Sequence, residues 1–180
     1  MLQAAGGKVV TGELIAEIVL GRQDAQNHDI LKPYLPGGEK SDMPFVHMYW
    51  DYFSAGKAAY VPIQYLSFPE AIRIIHEANG IAVLAHPGQN LDGDHTLFRR
   101  MIQEGLDGAE VFSTYHSKQE TANFYEIASE QQILITGGSD FHGKTKPQIA
   151  LGAYGGEEIA DHEEIILKRL QAVLPNKLPF

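Results

Sequence analysis

The chain has 180 residues and a mass of 19.9 kDa, which is room for one domain or one domain with a small appendage. Hydrophobic residues make up 44% of it and charged residues 21%, which is typical of a globular protein and argues against disorder. Acidic residues outnumber basic ones by 23 to 14. This acidic balance disfavours a clamp for long DNA and an anionic membrane surface as partners.

The chain contains no cysteine, so disulfides, thiolate nucleophiles and cysteine-based zinc sites are all excluded. Residues 1–7 lack the apolar stretch of a signal peptide. No apolar run approaches the roughly 18 residues that a membrane-spanning helix needs. We therefore expect a cytoplasmic protein that does not associate with a membrane.

The first third of the chain has an irregular, turn-rich pattern. Thr11 is expected to cap a helix that ends near Gly21, and a polar stretch over residues 22–44 follows this helix. A second apolar run covers residues 45–53 and carries the only tryptophan. We predict a small helical subdomain with long loops over residues 1–60.

Helix and strand signals alternate after residue 66. Capping boxes begin helices at Ser67 and Ser117, and Asp94 and Asp161 are expected to cap two more. Short apolar runs predict strands over residues 81–85, 108–112, 133–136 and 149–154.

This alternation predicts an α/β fold in which right-handed βαβ units form a parallel sheet over residues 61–180. Three to four parallel strands are too few to close a barrel of eight strands. The sheet is therefore either a small open one or part of something larger.

A histidine follows each of the first three predicted strands, in the order His86, His116 and His142. Parallel strands end at one edge of a sheet, where α/β proteins place their functional sites. Residues two apart in extended backbone point the same way, so Asp140 and His142 are expected to aim together. Imidazole and carboxylate groups are ligands for Zn, Mn or Fe. We predict a metal site formed by His86, Asp140 and His142.

Each of these residues also has an ordinary structural interpretation. A lone histidine at a strand end is more often a hydrogen-bonded loop residue than a ligand, and Asp140 could cap a turn. The convergence of three such groups on one edge favours the metal site. His116 is predicted to contact substrate or phosphate. Lys144 is a candidate for steadying a phosphate oxygen, and a solvated loop lysine is the alternative interpretation. Glu110 is interpreted as a polar group of a barrel interior or a residue on an exposed face.

Several segments of the chain resemble the polymerase and histidinol phosphatase (PHP) family. The similarity lies in residues 83–88, 108–111 and 136–143, with support from residues 52–62 and 146–152. The most similar branch consists of stand-alone phosphoesterases that act on nucleotide phosphates and short RNA. The family fold is a distorted seven-stranded (β/α) barrel that holds two or three metals.

The resemblance implies the same three metal ligands, His86, Asp140 and His142. It also implies that a metal-activated hydroxide hydrolyses a small phosphorylated substrate such as a nucleotide. The implied cofactors are divalent metal ions, with Mn, Zn, Fe or Mg as the candidates.

The chain departs from the family pattern at its beginning. Members of the family open with an H-x-H strand that supplies further ligands, whereas no H-x-H occurs here. Many relatives carry an arginine and a histidine where Gly12 and Leu14 stand. Residues 1–60 match the helical insert of the family. We therefore expect an incomplete PHP-type barrel, the C-terminal portion of a phosphoesterase that is inactive alone.

Two other functions remain open. The first is another metal-dependent hydrolase of the amidohydrolase type, because the same ligands also serve amide bonds. The second is a non-catalytic remnant that acts as a binding or oligomerisation module. An open sheet edge would then favour a homodimer or pairing with the missing N-terminal half.

Overall fold

A computed structural model describes residues 6, 7, 9–154 and 163–173, and these residues form two compact units. The helical unit comprises the described residues up to 64 together with residues 141–150. The sheet unit comprises residues 65–140 and the described residues from 151 onward. The grouping of residues 141–150 with the helical unit is a feature that the sequence did not indicate.

The helical unit is built from short helices. Helix α1 spans Gly12–Leu20 and α2 spans Pro44–Met48, and a π-helical turn at Tyr49–Phe53 continues α2. Thr11 caps α1 as predicted, because its hydroxyl accepts a 3.2 Å hydrogen bond from the Leu14 N–H. The buried core of this unit comprises Ala16, Ala25, Leu31, Tyr34 and Met48.

The sheet unit contains three parallel strands in the order β1, β2, β3. The strands are β1 Val83–Leu84, β2 Gly108–Ser113 and β3 Leu134–Gly138. The helices of this unit are α3 Phe68–Glu77, α4 Pro87–Leu91, α5 His95–Gln103, α6 Lys118–Glu130 and α7 Glu163–Val173. The predicted α/β class and parallel sheet are confirmed.

Local capping signals place most of these helices correctly. Ser67 and Ser117 form the capping boxes of α3 and α6, and the Asp94 carboxylate accepts a 2.9 Å hydrogen bond from the Leu97 N–H at the start of α5. The predicted cap Asp161 lies outside the described residues. The short helix α4 was not predicted, although Pro87 at its first position suits a helix start.

The predicted fourth strand is wrong. Residues 149–154 form a turn and irregular backbone, and Gly152 adopts a positive φ of 75°. That left-handed conformation interrupts the extended backbone that a strand requires. The ring of Tyr154 instead lies against Gly137 of β3. The described sheet therefore has three strands, and β1 is shorter than predicted.

Aromatic side chains fill the core of the sheet unit. Phe98 of α5 and Phe124 of α6 are fully buried, and their rings meet edge to face with centroids 5.3 Å apart. Phe112 and Val111 of β2 are also buried, as is Ile135 of β3. This packing holds the sheet against its helices and thereby sets where the strand ends lie. Among the described residues, no helix has the length and apolar character needed to cross a membrane.

Candidate functional site

The carboxyl ends of the three strands meet at one edge of the sheet unit. His86 follows β1, residues 113–116 end and follow β2, and Asp140 follows β3. Because the strands are parallel, the backbone brings these residues to the same edge, as predicted. Two of the three predicted metal ligands, His86 and Asp140, therefore belong to one candidate site.

His86 lies in a tight turn between β1 and α4. Its backbone has a positive φ of 28°, and it precedes the buried residues Pro87 and Gly88. The Nδ1 atom of His86 is buried and has no hydrogen-bond partner among the described residues. A buried ring nitrogen without a partner is costly, so the site suits a group that would bind there.

Asp140 follows two glycines that allow close packing. A Cβ at Gly137 would lie 2.3 Å from the Tyr154 ring, so only glycine fits without a shift. Asp140 itself has a positive φ of 55°, and its Oδ2 accepts a 2.6 Å hydrogen bond from the Tyr115 hydroxyl. The Thr114 hydroxyl donates a 3.2 Å bond to the Ser139 carbonyl nearby. These contacts connect the loop after β2 to the loop after β3.

Glu110 was not predicted as a site residue, yet the structure places it among these groups. It lies on β2, half-buried, and its Oε1 is buried without a hydrogen-bond partner among the described residues. Burial raises the pKa of Glu110, while the Ser113 hydroxyl and, to a smaller extent, the nearby His86 imidazole act to lower it. A Cβ at Gly138 would lie 3.2 Å from its Oε2, so that glycine makes room for the carboxylate. A single carboxylate in an apolar strand was the sequence signal for this position.

Both ring nitrogens of His116 form hydrogen bonds with backbone groups. Its Nε2 accepts a 3.0 Å hydrogen bond from the Gly88 N–H, and its Nδ1 lies 2.7 Å from the Val111 carbonyl oxygen. Because an N–H can only donate, Nε2 is the acceptor, and Nδ1 carries the proton that it donates to Val111. The ring also stacks on Phe124 at 5.3 Å. The predicted substrate contact is thus a side chain whose two nitrogens are both engaged.

His142 and Lys144 lie in the segment that groups with the helical unit. His142 is exposed and precedes a single 3-10 turn at Gly143–Thr145. The Lys144 ammonium forms an ion pair with Glu17 of α1 in the same unit, and the lysine side chain is 71% exposed. The structure thus groups His142 and Lys144 with the helical unit, and His86 and Asp140 with the sheet unit.

The donor chemistry at the strand ends matches a divalent cation, because it combines imidazole nitrogen with carboxylate oxygen. The described residues, however, bring together fewer than the three side-chain ligands that a metal site usually has. Within the part of the chain that the structure describes, no three His, Asp or Glu side chains are arranged to hold a metal ion. Three-residue metal binding by His86, Asp140 and His142 therefore stays a prediction.

Several proteins of known activity are similar to this chain, although no protein-family model matches it. A phosphoribosyl 1,2-cyclic phosphate 1,2-diphosphodiesterase from Eggerthella lenta is 38% identical over 97 residues, which is 54% of this chain and 36% of that protein. The 5′-3′ exoribonuclease Rnm from Escherichia coli is 35% identical over 152 residues, 83% of this chain and 45% of that protein. A 3′,5′-nucleoside bisphosphate phosphatase from Chromobacterium violaceum is 33% identical over 118 residues, 63% of this chain and 38% of that protein.

Two solved structures share the fold. One, from Bifidobacterium adolescentis, is assigned as a metal-dependent phosphoesterase; it is 23% identical with a TM-score of 0.59 and covers 96% of this chain and 58% of that chain. The other is an amidohydrolase from Chromobacterium violaceum with bound sulfate and no metal; it is 26% identical with a TM-score of 0.53 and covers 84% of this chain and 54% of that chain. The chain thus spans less than half the length of each of the three similar proteins of known activity.

Proposed function

Since the chain is a relative of the PHP-family phosphoesterases, we propose that it forms part of a metal-dependent phosphoesterase. The proposed substrates are phosphate esters of nucleotides or short oligonucleotides, the class named for its relatives. The activity is proposed for a longer protein or assembly, because the chain spans less than half of these relatives and contains no H-x-H.

Two buried polar atoms support this proposal most directly. The Nδ1 atom of His86 and the Oε1 atom of Glu110 are both without hydrogen-bond partners among the described residues. Glu110 lies on β2, and His86 lies in the turn that follows the neighbouring strand β1. Leaving two such atoms unpaired costs about 1–3 kcal/mol each, which a bound cation would offset. The proposed ligands are His86, Asp140 and His142, and the Glu110 carboxyl group lies near His86.

His86, Asp140 and His142 would hold the divalent cation, which when bound would supply activation of a water molecule and neutralisation of charge on the phosphoryl oxygens. The residues of this chain supply the ligands and their orientation. Lys144 is proposed to contact a phosphate oxygen, which requires exchange of its ion pair with Glu17. His116 as a substrate contact also stays a prediction, and its bonds to Gly88 and Val111 indicate that it holds the turn that carries His86.

Metal binding by the chain alone is the first test. Calorimetric titration with Mn²⁺ and Zn²⁺ is expected to show binding to the wild-type chain that is lost in His86→Ala and in His142→Ala. The control is His28→Ala, because His28 is an exposed histidine that pairs with Asp24 in the helical unit. Equal binding by the wild-type chain and His142→Ala would contradict the proposed ligand set.

A second candidate function is amide hydrolysis, and the solved amidohydrolase at 26% identity favours its inclusion. The two reactions are distinguished by their substrates, which are tested on the longer protein or assembly in which we propose the activity. Turnover of a nucleoside 3′,5′-bisphosphate or a short RNA with Mn²⁺ supports the phosphoesterase. Turnover of an amide or cyclic amide without phosphoester turnover would overturn it.

The identity of the metal, the location of the protein and its partners are also proposed. Mn, Zn, Fe and Mg are all retained as candidate ions, since imidazole and carboxylate ligands accept several of them. A cytoplasmic location agrees with the absence of cysteine. Pairing with a second copy, or with a polypeptide that supplies the N-terminal half of a PHP-type domain, is proposed because β1 has a strand neighbour, β2, on one side only in the described sheet.

A further inference from the structure

The Tyr115 side chain lies between the two predicted metal ligands of the sheet unit. Its hydroxyl donates a 2.6 Å hydrogen bond to Asp140 Oδ2. Its ring meets the His86 imidazole edge to face, with centroids 5.4 Å apart and planes at 79°. Since Tyr115 follows β2, one side chain contacts residues in the segments that follow both outer strands.

Both of these neighbours have left-handed backbone. His86 has a φ of 28° and Asp140 a φ of 55°, although each carries a Cβ. Such conformations persist only where the surrounding structure holds them, and they are frequent at functional sites. The Tyr115 side chain contacts both of these residues, so it is well placed to hold them.

We propose that Tyr115 is a positioning residue that orients Asp140 and His86 for binding a divalent cation. The hydroxyl fixes the rotation of the carboxylate by occupying its Oδ2, and the ring limits the rotation of the imidazole. Partners of this kind orient metal ligands in proteins and raise metal affinity. This inference rests on the proposed function, because it takes Asp140 and His86 to be ligands.

The first test is Mn²⁺ affinity measured by calorimetry on the full chain. Tyr115→Phe keeps the ring against His86 and removes the bond to Asp140, and we expect it to weaken Mn²⁺ binding about 10- to 100-fold. Tyr115→Leu removes both contacts and should weaken it further. Tyr125→Phe is the matched control, because Tyr125 is a half-buried tyrosine that packs on Phe112 in the same unit. Its affinity is expected to equal that of the wild-type chain.

The second test needs no metal. A double-mutant cycle of Tyr115→Phe and Asp140→Ala, followed by urea unfolding, isolates the bond between the two side chains. The backbone strain of alanine at position 140 occurs in both backgrounds and cancels. We expect the two substitutions to be coupled, so that the combined change in the unfolding constant differs from the product of the single changes by about fivefold or more.

The outcomes distinguish this inference from the function on which it rests. Additive effects in the cycle, or unchanged Mn²⁺ affinity in Tyr115→Phe beside a wild-type chain that binds, would overturn the positioning role alone. A wild-type chain that binds no Mn²⁺ would overturn both the proposed metal site and the metal role of Tyr115. Coupling together with weakened binding supports both.

Discussion

Replacing His116 by phenylalanine should destabilise the sheet unit without removing the packing of its ring. The imidazole accepts a hydrogen bond from the buried Gly88 N–H and donates one to the Val111 carbonyl, while its face stacks on Phe124. A phenyl ring retains the stacking but can make neither hydrogen bond. The substitution therefore isolates the connection between the turn after β1 and the strand β2.

The expected loss follows from what each backbone group is left with. The Gly88 N–H is a buried donor that loses its partner, at a cost of about 1–3 kcal/mol. The Val111 carbonyl loses a bond worth about 1 kcal/mol. Together they predict that the free energy of unfolding falls by about 2–4 kcal/mol, which is a large share of the stability of a small domain.

Urea unfolding followed by circular dichroism measures this change. The fluorescence of Trp50 serves as an internal comparison, because Trp50 lies in the helical unit. His95→Phe is the control. The His95 ring also contacts the Phe124 ring, with centroids 5.2 Å apart, but within the described residues its side chain makes no hydrogen bond to the backbone. If His116→Phe lies within about 0.5 kcal/mol of the wild-type chain, the change is that of an ordinary surface substitution and the role of His116 is refuted.

Three further substitutions test other parts of the sheet unit. Glu110→Gln should stabilise the metal-free chain at neutral pH. Burial raises the pKa of Glu110, so the contribution of this residue to stability is fully present below its ordinary pKa of 4.5 and is lost as pH rises through the raised pKa. Urea unfolding at several pH values should show that fall in the wild-type chain and not in the variant. Ser117→Ala removes the acceptor for the Glu120 N–H and should cost about 1 kcal/mol in the same assay. Gly137→Ala would place a Cβ 2.3 Å from the Tyr154 ring and should lower the free energy of unfolding by about 1–3 kcal/mol in the same assay.

Each of these expectations has a contradicting result. A Glu110→Gln chain with the same pH dependence as the wild-type chain would mean that another group causes the fall. Ser117→Thr keeps a hydroxyl at the cap and is the control for Ser117→Ala, so equal losses in both would argue against the cap. Unchanged stability in Gly137→Ala would show that the Tyr154 ring moves aside without cost.

Local sequence signals were sufficient for most helices and strands. A cap at Thr11 and capping boxes at Ser67 and Ser117 act within one helical turn, so their effect does not depend on the rest of the fold. The apolar runs of β2 and β3 also predicted strands correctly, because a buried parallel strand is apolar on both faces. The shared edge of His86 and Asp140 followed from parallel topology alone.

Other features depend on packing between distant residues, and sequence analysis missed them. The fourth strand was predicted from an apolar run. The positive φ of Gly152 and the contact of Tyr154 with Gly137 instead accompany a turn and irregular backbone in that segment. A register shift between Glu110 and Phe112 leaves an extra residue in β2, which changes the simple alternation of side chains along the strand.

The sequence by itself determined the class of fold, the places where helices begin and which strand ends could carry chemistry. Only the tertiary structure decided that Tyr115 contacts both His86 and Asp140 and that Glu110 is half-buried beside them. The reason is the range of the forces involved. Caps and strand runs act between residues close in sequence, whereas these contacts join residues about 25 or more positions apart and exist only after β1, β2 and β3 have paired.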